Sequence, residues 1–142
     1  MKRILVIEDD PASLELYARV LHRADYDVYQ APTLVEAKRL LAEHQFRLIL
    51  SDMEVGSDRA LSLLTELNDM LQAQGTGIIA ISAQENYRRD ADNIGIDFFL
   101  SKPVSIRTLV NLIDRVTVGK ADRKVPLVLD TKEMMKVNLD NQ

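Results

Sequence analysis

Three short stretches of this chain are apolar at every position: Ile4-Leu5-Val6-Ile7, Leu48-Ile49-Leu50 and Ile78-Ile79-Ala80-Ile81. A strand with one wet face alternates apolar and polar residues. A run with no polar position needs both faces covered, which is the condition of a parallel sheet between helical layers. None of these runs is long enough to cross a bilayer. Phe98-Phe99-Leu100 is a fourth apolar run. A fifth and weaker one is Tyr26–Gln30, where Tyr26, Val28 and Gln30 alternate with Asp27 and Tyr29.

Between the runs the period changes to that of a helix. Leu14, Tyr17, Ala18 and Leu21 lie on one helical face, and Pro11 suits the first turn. A second helix is predicted from Thr33 to Glu43, with Ala37, Leu40 and Leu41 inward and Thr33 as N-cap, Glu36 following three residues on. A third carries Ala60, Leu64, Leu67 and Leu71; the last carries Ile106, Leu109, Val110 and Ile113, with Gly119 as its stop. Gln84–Ile94 offers only Tyr87, Ala91 and Ile94 as an apolar face, so it reads equally as a plain surface helix or a mobile element.

Five β-α units in succession predict an α/β fold of three layers. With right-handed crossovers, the expected architecture is flavodoxin-like, a parallel five-stranded sheet in the order 2-1-3-4-5. The domain should span 1–119. Residues 120–142 begin as a charged linker and read as a tail, or as a link toward something further.

Composition removes several function classes. The 142 residues carry 46 % hydrophobic side chains and no cysteine, so a disulfide framework and a Cys-based zinc site are excluded. A formal charge of −4 argues against direct nucleic-acid binding by this chain. Met1-Lys2-Arg3 leads straight into the first run, without the features of a signal peptide. A cytoplasmic, non-membrane setting is the expectation.

In open α/β sheets, ligands sit at the carboxyl ends of the strands, near the switch in strand order. Those ends carry Glu8 and Asp9, then Ser51 and Asp52, then Ser82, then Ser101, Lys102 and Pro103. In the order 2-1-3-4-5, Asp52 lies between Asp9 and Ser82 on strands roughly 5 Å apart, and Lys102 stands roughly 10 Å away. Three carboxylates, a hydroxyl and an ammonium thus converge on one rim. Crowded carboxylates need a shared proton or a cation. Mg²⁺ takes a few carboxylates together with waters and phosphate oxygens. A carboxylate can also attack phosphorus to give an acyl phosphate. The central Asp52 is the expected nucleophile, with Mg²⁺ and Lys102 neutralising phosphoryl oxygens and Ser82 donating to one of them. Asp10 before Pro11 is instead expected to start the first helix. His22 and His44 lie outside the constellation.

The stretches ILVIEDDP, LILSDMEVGSDRAL, IIAISAQ and GIDFFLSKPVS resemble the receiver domain of bacterial two-component response regulators, over about residues 3 to 118. The resemblance implies that Glu8 and Asp9 are the acidic pair holding Mg²⁺, with the backbone carbonyl of Glu54 completing the metal site. It implies that Asp52 is the phosphoacceptor, Ser82 the switch hydroxyl, Lys102 the active-site lysine and Phe99 the aromatic that turns inward on activation. The implied partner is a sensor histidine kinase or phosphotransfer protein. A homodimer or downstream protein would use the face made by Gln84–Ile94, the Phe98–Leu100 strand and Ile106–Val116.

The chain departs from the family's pattern where Gly56 replaces a usual Pro and Arg59-Ala60 replaces a usual Asp-Gly. Gly56 is expected to relax this loop, and Ala60 would resist a positive φ. The negative side chain of Glu54 is expected to alter phosphorylation or dephosphorylation rates. Two other readings are a receiver-fold interaction module that is never phosphorylated, and a haloacid-dehalogenase-like phosphatase. The phosphatase reading needs its nucleophile at the end of the first strand.

Overall fold

The structure, a computed structural model, describes residues 2–56, 58–83 and 94–119. Five parallel strands form the main sheet: β1 (Arg3–Ile7), β2 (Asp27–Ala31), β3 (Leu48–Asp52), β6 (Gly77–Ser82) and β7 (Phe98–Ser101). Their order is β2-β1-β3-β6-β7. Two short strands, β4 (Glu54–Val55) and β5 (Asp58–Arg59), form a separate antiparallel hairpin. With the hairpin set aside, the order is the expected 2-1-3-4-5.

Successive side chains of a strand face opposite ways, which is why the apolar runs are unbroken. Ile4, Val6, Leu48, Leu50, Ile79 and Ile81 face one core, against Leu14, Tyr17 and Leu21 of α1 (Pro11–Arg23) and Leu109, Leu112, Ile113 and Val116 of α5 (Ile106–Gly119). Leu5, Ile7, Ile49 and Ile78 face the other, against α2 (Leu34–Glu43), α3 (Ala60–Glu66) and α4 (Asn68–Ala73). At roughly 1.5–3 kcal/mol for each fully buried aliphatic side chain, the two cores are the main stabilising term.

The caps follow the sequence. The Asp10 carboxylate accepts the Ser13 backbone N–H at 3.0 Å and the Ser13 hydroxyl at 2.6 Å. These bonds hold its carboxyl below the usual carboxylate range. Thr33 Oγ1 accepts the Glu36 N–H at 3.1 Å. The Glu36 carboxylate does not turn back to close a capping box; it pairs with Arg39 one turn on.

Three expectations are corrected. The predicted third helix is divided at Leu67 (φ −99°, ψ 6°) into α3 and α4. The bonds Leu67 N–H to Leu63 O (3.1 Å) and Leu71 N–H to Leu67 O (2.9 Å) keep the two pieces in register. Asn68 and Asp69 follow the break, and both are poor helix formers. In α5 the buried apolar residues are Leu109, Leu112, Ile113 and Val116, while Ile106 and Val110 are only half-buried. Tyr26 precedes β2 instead of starting it.

Tyr26 is 6 % exposed, and its hydroxyl donates to Asp114 and lies 3.2 Å from Thr117 Oγ1. It therefore fastens the edge of the sheet to α5. Burial, reinforced by Asp114, pushes its hydroxyl up to about 12. Tyr26→Phe should cost about 1 kcal/mol, the net worth of one such hydrogen bond, measured as a lower urea midpoint at unchanged slope. Residues 84–93 and 120–142, which carry the mobile-helix and tail readings, lie outside the described residues. No helix among the described residues is long and apolar enough to cross a membrane.

Candidate functional site

Parallel register decides which strand ends meet. Ile7 pairs with Ser51 and Asp52 with Ile81. Glu8, the next residue on its strand, therefore comes level with Asp52, and Ser82 lies one step beyond. Ser82 pairs with Ser101, which puts Lys102 immediately after that row. The Lys102 N–H donates to Ser82 O at 2.9 Å, and the Lys102–Pro103 peptide is cis.

The expected residues gather around one cavity of about 230 Å³, lined by Asp9, Asp52, Glu54, Gly56, Ser82, Ala83 and Lys102. Glu8 is 2 % exposed, while Asp9 is exposed. Glu8, Asp9 and Asp52 each offer a carboxylate oxygen within 4.8 Å of the others. Hard divalent cations such as Mg²⁺ take oxygen ligands, carboxylates among them, so this clustered all-oxygen donor set suits one in its chemistry.

Lys102 Nζ stands 2.6 Å from Asp52 Oδ2 and 3.8 Å from Glu8 Oε1. Desolvation lowers the Lys102 pKa, but the hydrogen bond and charge of Asp52, with Glu8 behind, outweigh it and leave the ammonium held above its ordinary value. Glu8 is pushed the other way. Burial raises its pKa from 4.5 to about 7, helped by its hydrogen bond with Asp52 and by the charges of Asp52 and Asp9. Burial first, and then the neighbouring carboxylates, make Glu8 hold its proton to a higher pH than an ordinary carboxyl.

Asp52 is braced as well as paired. Its Oδ1 accepts the Glu54 N–H at 2.9 Å, and the Ser51 hydroxyl donates to its backbone carbonyl at 2.8 Å. Lys102→Met would take from Asp52 and Glu8 the counter-charge that Lys102 supplies. It should lower metal-free stability by about 1–2 kcal/mol, less than for a fully buried pair because the Lys102 side chain is 34 % exposed and screened. Chemical denaturation in a chelator would measure this.

Phe99 lies apart from the polar rim. It is 8 % exposed and packs with Met53 and Ala80, so it already points inward. His22 lies in the last turn of α1, and His44 packs against Tyr29 and Phe46; neither reaches the site.

One reading of the loop after Asp52 changes, at Ala60. Gly56 takes φ +65°, and its N–H donates to Asp9 Oδ2 at 2.9 Å. Ala60 begins α3 and needs no positive φ; its N–H donates to Met53 O at 3.0 Å. The signal for the hairpin was present as Gly56-Ser57 between short segments, since Gly-X favours a two-residue hairpin turn.

Residues 4–114 match the sequence pattern of the response regulator receiver domain. The chain is 30 % identical over 125 residues to response regulator receiver protein CpdR of Brucella abortus, covering 84 % of this chain and 99 % of that one. A CheY-like response regulator receiver domain protein from Methanospirillum hungatei superposes with a TM-score of 0.79 at 26 % identity, over 85 % of this chain and 97 % of that one. Response regulator TrrA of Thermotoga maritima, solved in complex with Mg²⁺-BeF, gives a TM-score of 0.72 at 25 % identity, over 82 % and 99 % of the two chains.

Proposed function

The chain belongs to the response regulator receiver domain family, and on that premise we propose that Asp52 accepts a phosphoryl group from a phosphohistidine. The observation that carries this reading is the environment of Asp52. It is 8 % exposed at the edge of an open cavity, 2.6 Å from Lys102, with oxygens of Glu8 and Asp9 close by.

In the proposed step, an Asp52 carboxylate oxygen attacks phosphorus. The P–N bond of the phosphohistidine breaks, and its electron pair stays on the imidazole nitrogen. Glu8, Asp9, Asp52 and the Glu54 carbonyl would hold Mg²⁺, which when bound neutralises negative charge on the phosphoryl oxygens. The structurally similar TrrA was solved in complex with Mg²⁺-BeF, which supports assigning the same cation to this chain. Lys102 releases Asp52 Oδ2 and donates to a phosphoryl oxygen. Ser82 donates to another.

The family is one of signalling switches, and the proposed readout is a shift in surface. Ser82 moving toward the phosphoryl group would favour the inward place that Phe99 holds. The face of β7 and α5 would then engage a second copy or a downstream protein. The donor would be a sensor histidine kinase or phosphotransfer protein, in a cytoplasmic setting. Residues 1–119 would form the switch and 120–142 its tail.

The test is incubation with a small phosphodonor and Mg²⁺, followed by intact-protein mass measurement. The expected result is one labile phosphate per chain. Continuous turnover of a phosphate ester would instead favour the phosphatase, although Asp52 ends β3 and not the first strand, where that chemistry needs its nucleophile. No adduct with any donor would favour the unphosphorylated module.

A further inference from the structure

We propose that Gly56 is a positioning residue for the cation site, its inward-turned N–H fixing the carboxylate of Asp9. The inference rests on the metal-site reading above. Asp9 is exposed, and an exposed carboxylate left to itself samples several rotamers. Here Asp9 Oδ2 accepts the Gly56 N–H at 2.9 Å, from 47 residues away in the chain. One oxygen is then held while the other stays free to meet a cation. Partners of this kind, bonded to a ligand and not to the metal, orient ligands and tune metal affinity.

The donor itself is held. Gly56 sits at φ +65°, a conformation that costs glycine little and most residues more. It follows a strand pair in which Glu54 faces Arg59 and Val55 faces Asp58. Met53 N–H bonds Ile81 O at 2.9 Å and Ala60 N–H bonds Met53 O at 3.0 Å, tying the base of the hairpin to β6 and α3. A proline, which resembling sequences usually carry here, has no N–H and a φ fixed near −65°. It could not make this bond. The departure from the family's pattern thus supplies a hydrogen-bond donor to a proposed metal ligand.

Calorimetric titration of Mg²⁺ into wild type, Gly56→Pro and Gly56→Asn tests this. Asn tolerates the left-handed region and keeps the N–H, and a Cβ at this position meets no atom within 4 Å. Gly56→Asn should bind within about threefold of wild type and Gly56→Pro on the order of 10-fold more weakly. Metal-free melting temperatures separate this from damage to the scaffold, which would lower melting without changing affinity. Equal affinities of wild type and Gly56→Pro overturn the inference and leave the metal site standing. A wild type that takes up no Mg²⁺ sinks the metal site itself, and the role of Gly56 with it. Amide exchange covers the case where Gly56→Pro does not fold. The Gly56 N–H should exchange roughly 10-fold faster in Asp9→Ala than in wild type, since its acceptor is gone. Unchanged exchange overturns the inference.

Discussion

Asp52→Asn is expected to abolish the phosphate adduct altogether while the protein stays folded. The amide is the same size and cannot attack phosphorus as a carboxylate does. Neither neighbour can replace it. Glu8 is 2 % exposed with its carboxyl raised to about 7, so it is buried and half protonated at neutral pH. Asp9 is turned toward the Gly56 N–H. Only Asp52 is central, with Lys102 at 2.6 Å on one oxygen and the Glu54 N–H at 2.9 Å on the other. Folding should survive because one crowded carboxylate becomes neutral. Lys102 loses its nearer partner but keeps Glu8 at 3.8 Å. The Glu8 carboxyl should also fall back toward its ordinary value once the Asp52 charge is gone. Intact-protein mass reads the adduct, and carboxyl chemical shifts read Glu8. An adduct that persists in Asp52→Asn would remove Asp52 from the role.

The second large effect is a pH dependence of stability that Mg²⁺ removes. Burial first, then the hydrogen bond and charge of Asp52, raise Glu8 from 4.5 to about 7, against the pull of Lys102. The folded state therefore binds this proton more tightly than the unfolded chain. Between those two values the native state carries a proton that the unfolded state lacks. Stability from this group must fall as pH rises through that window and level off above it. The full shift corresponds to about 3 kcal/mol, an upper bound for a group so closely coupled to Asp52. Mg²⁺ needs the deprotonated carboxylate and stabilises only the folded state. Its apparent affinity should drop about tenfold for each pH unit below 7 if one proton is displaced. Urea midpoints across this window should then fall with pH in a chelator and stay nearly level at saturating Mg²⁺, where the gain in metal affinity offsets the lost proton. Glu8→Gln should flatten the metal-free slope. Parallel curves in the two buffers would show that no cation binds at Glu8.

The order of elements, their layers and the five polar residues at the strand ends were legible because each depends on local pattern. Ile4–Ile7 and Ile78–Ile81 must be covered on both faces, so the sheet is parallel and sandwiched. Asp10 and Thr33 stand where helices need caps. Once the strands run parallel in the order 2-1-3-4-5, Glu8, Asp9, Asp52, Ser82 and Lys102 have no other end to occupy. What the sequence could not convey depends on distance across the fold. The Gly56 N–H meets Asp9 only because β1 and β3 are neighbours. Tyr26 could be read as a strand residue until α5 brought Asp114 and Thr117 to its hydroxyl. Glu8 and Asp9 are adjacent acids in the chain, yet one is buried and raised to about 7 while the other faces solvent. Sequence determined which charges would be crowded together. Only the tertiary structure decided which of them loses its water, because desolvation is set by the atoms packed around a group and not by its neighbours in the chain.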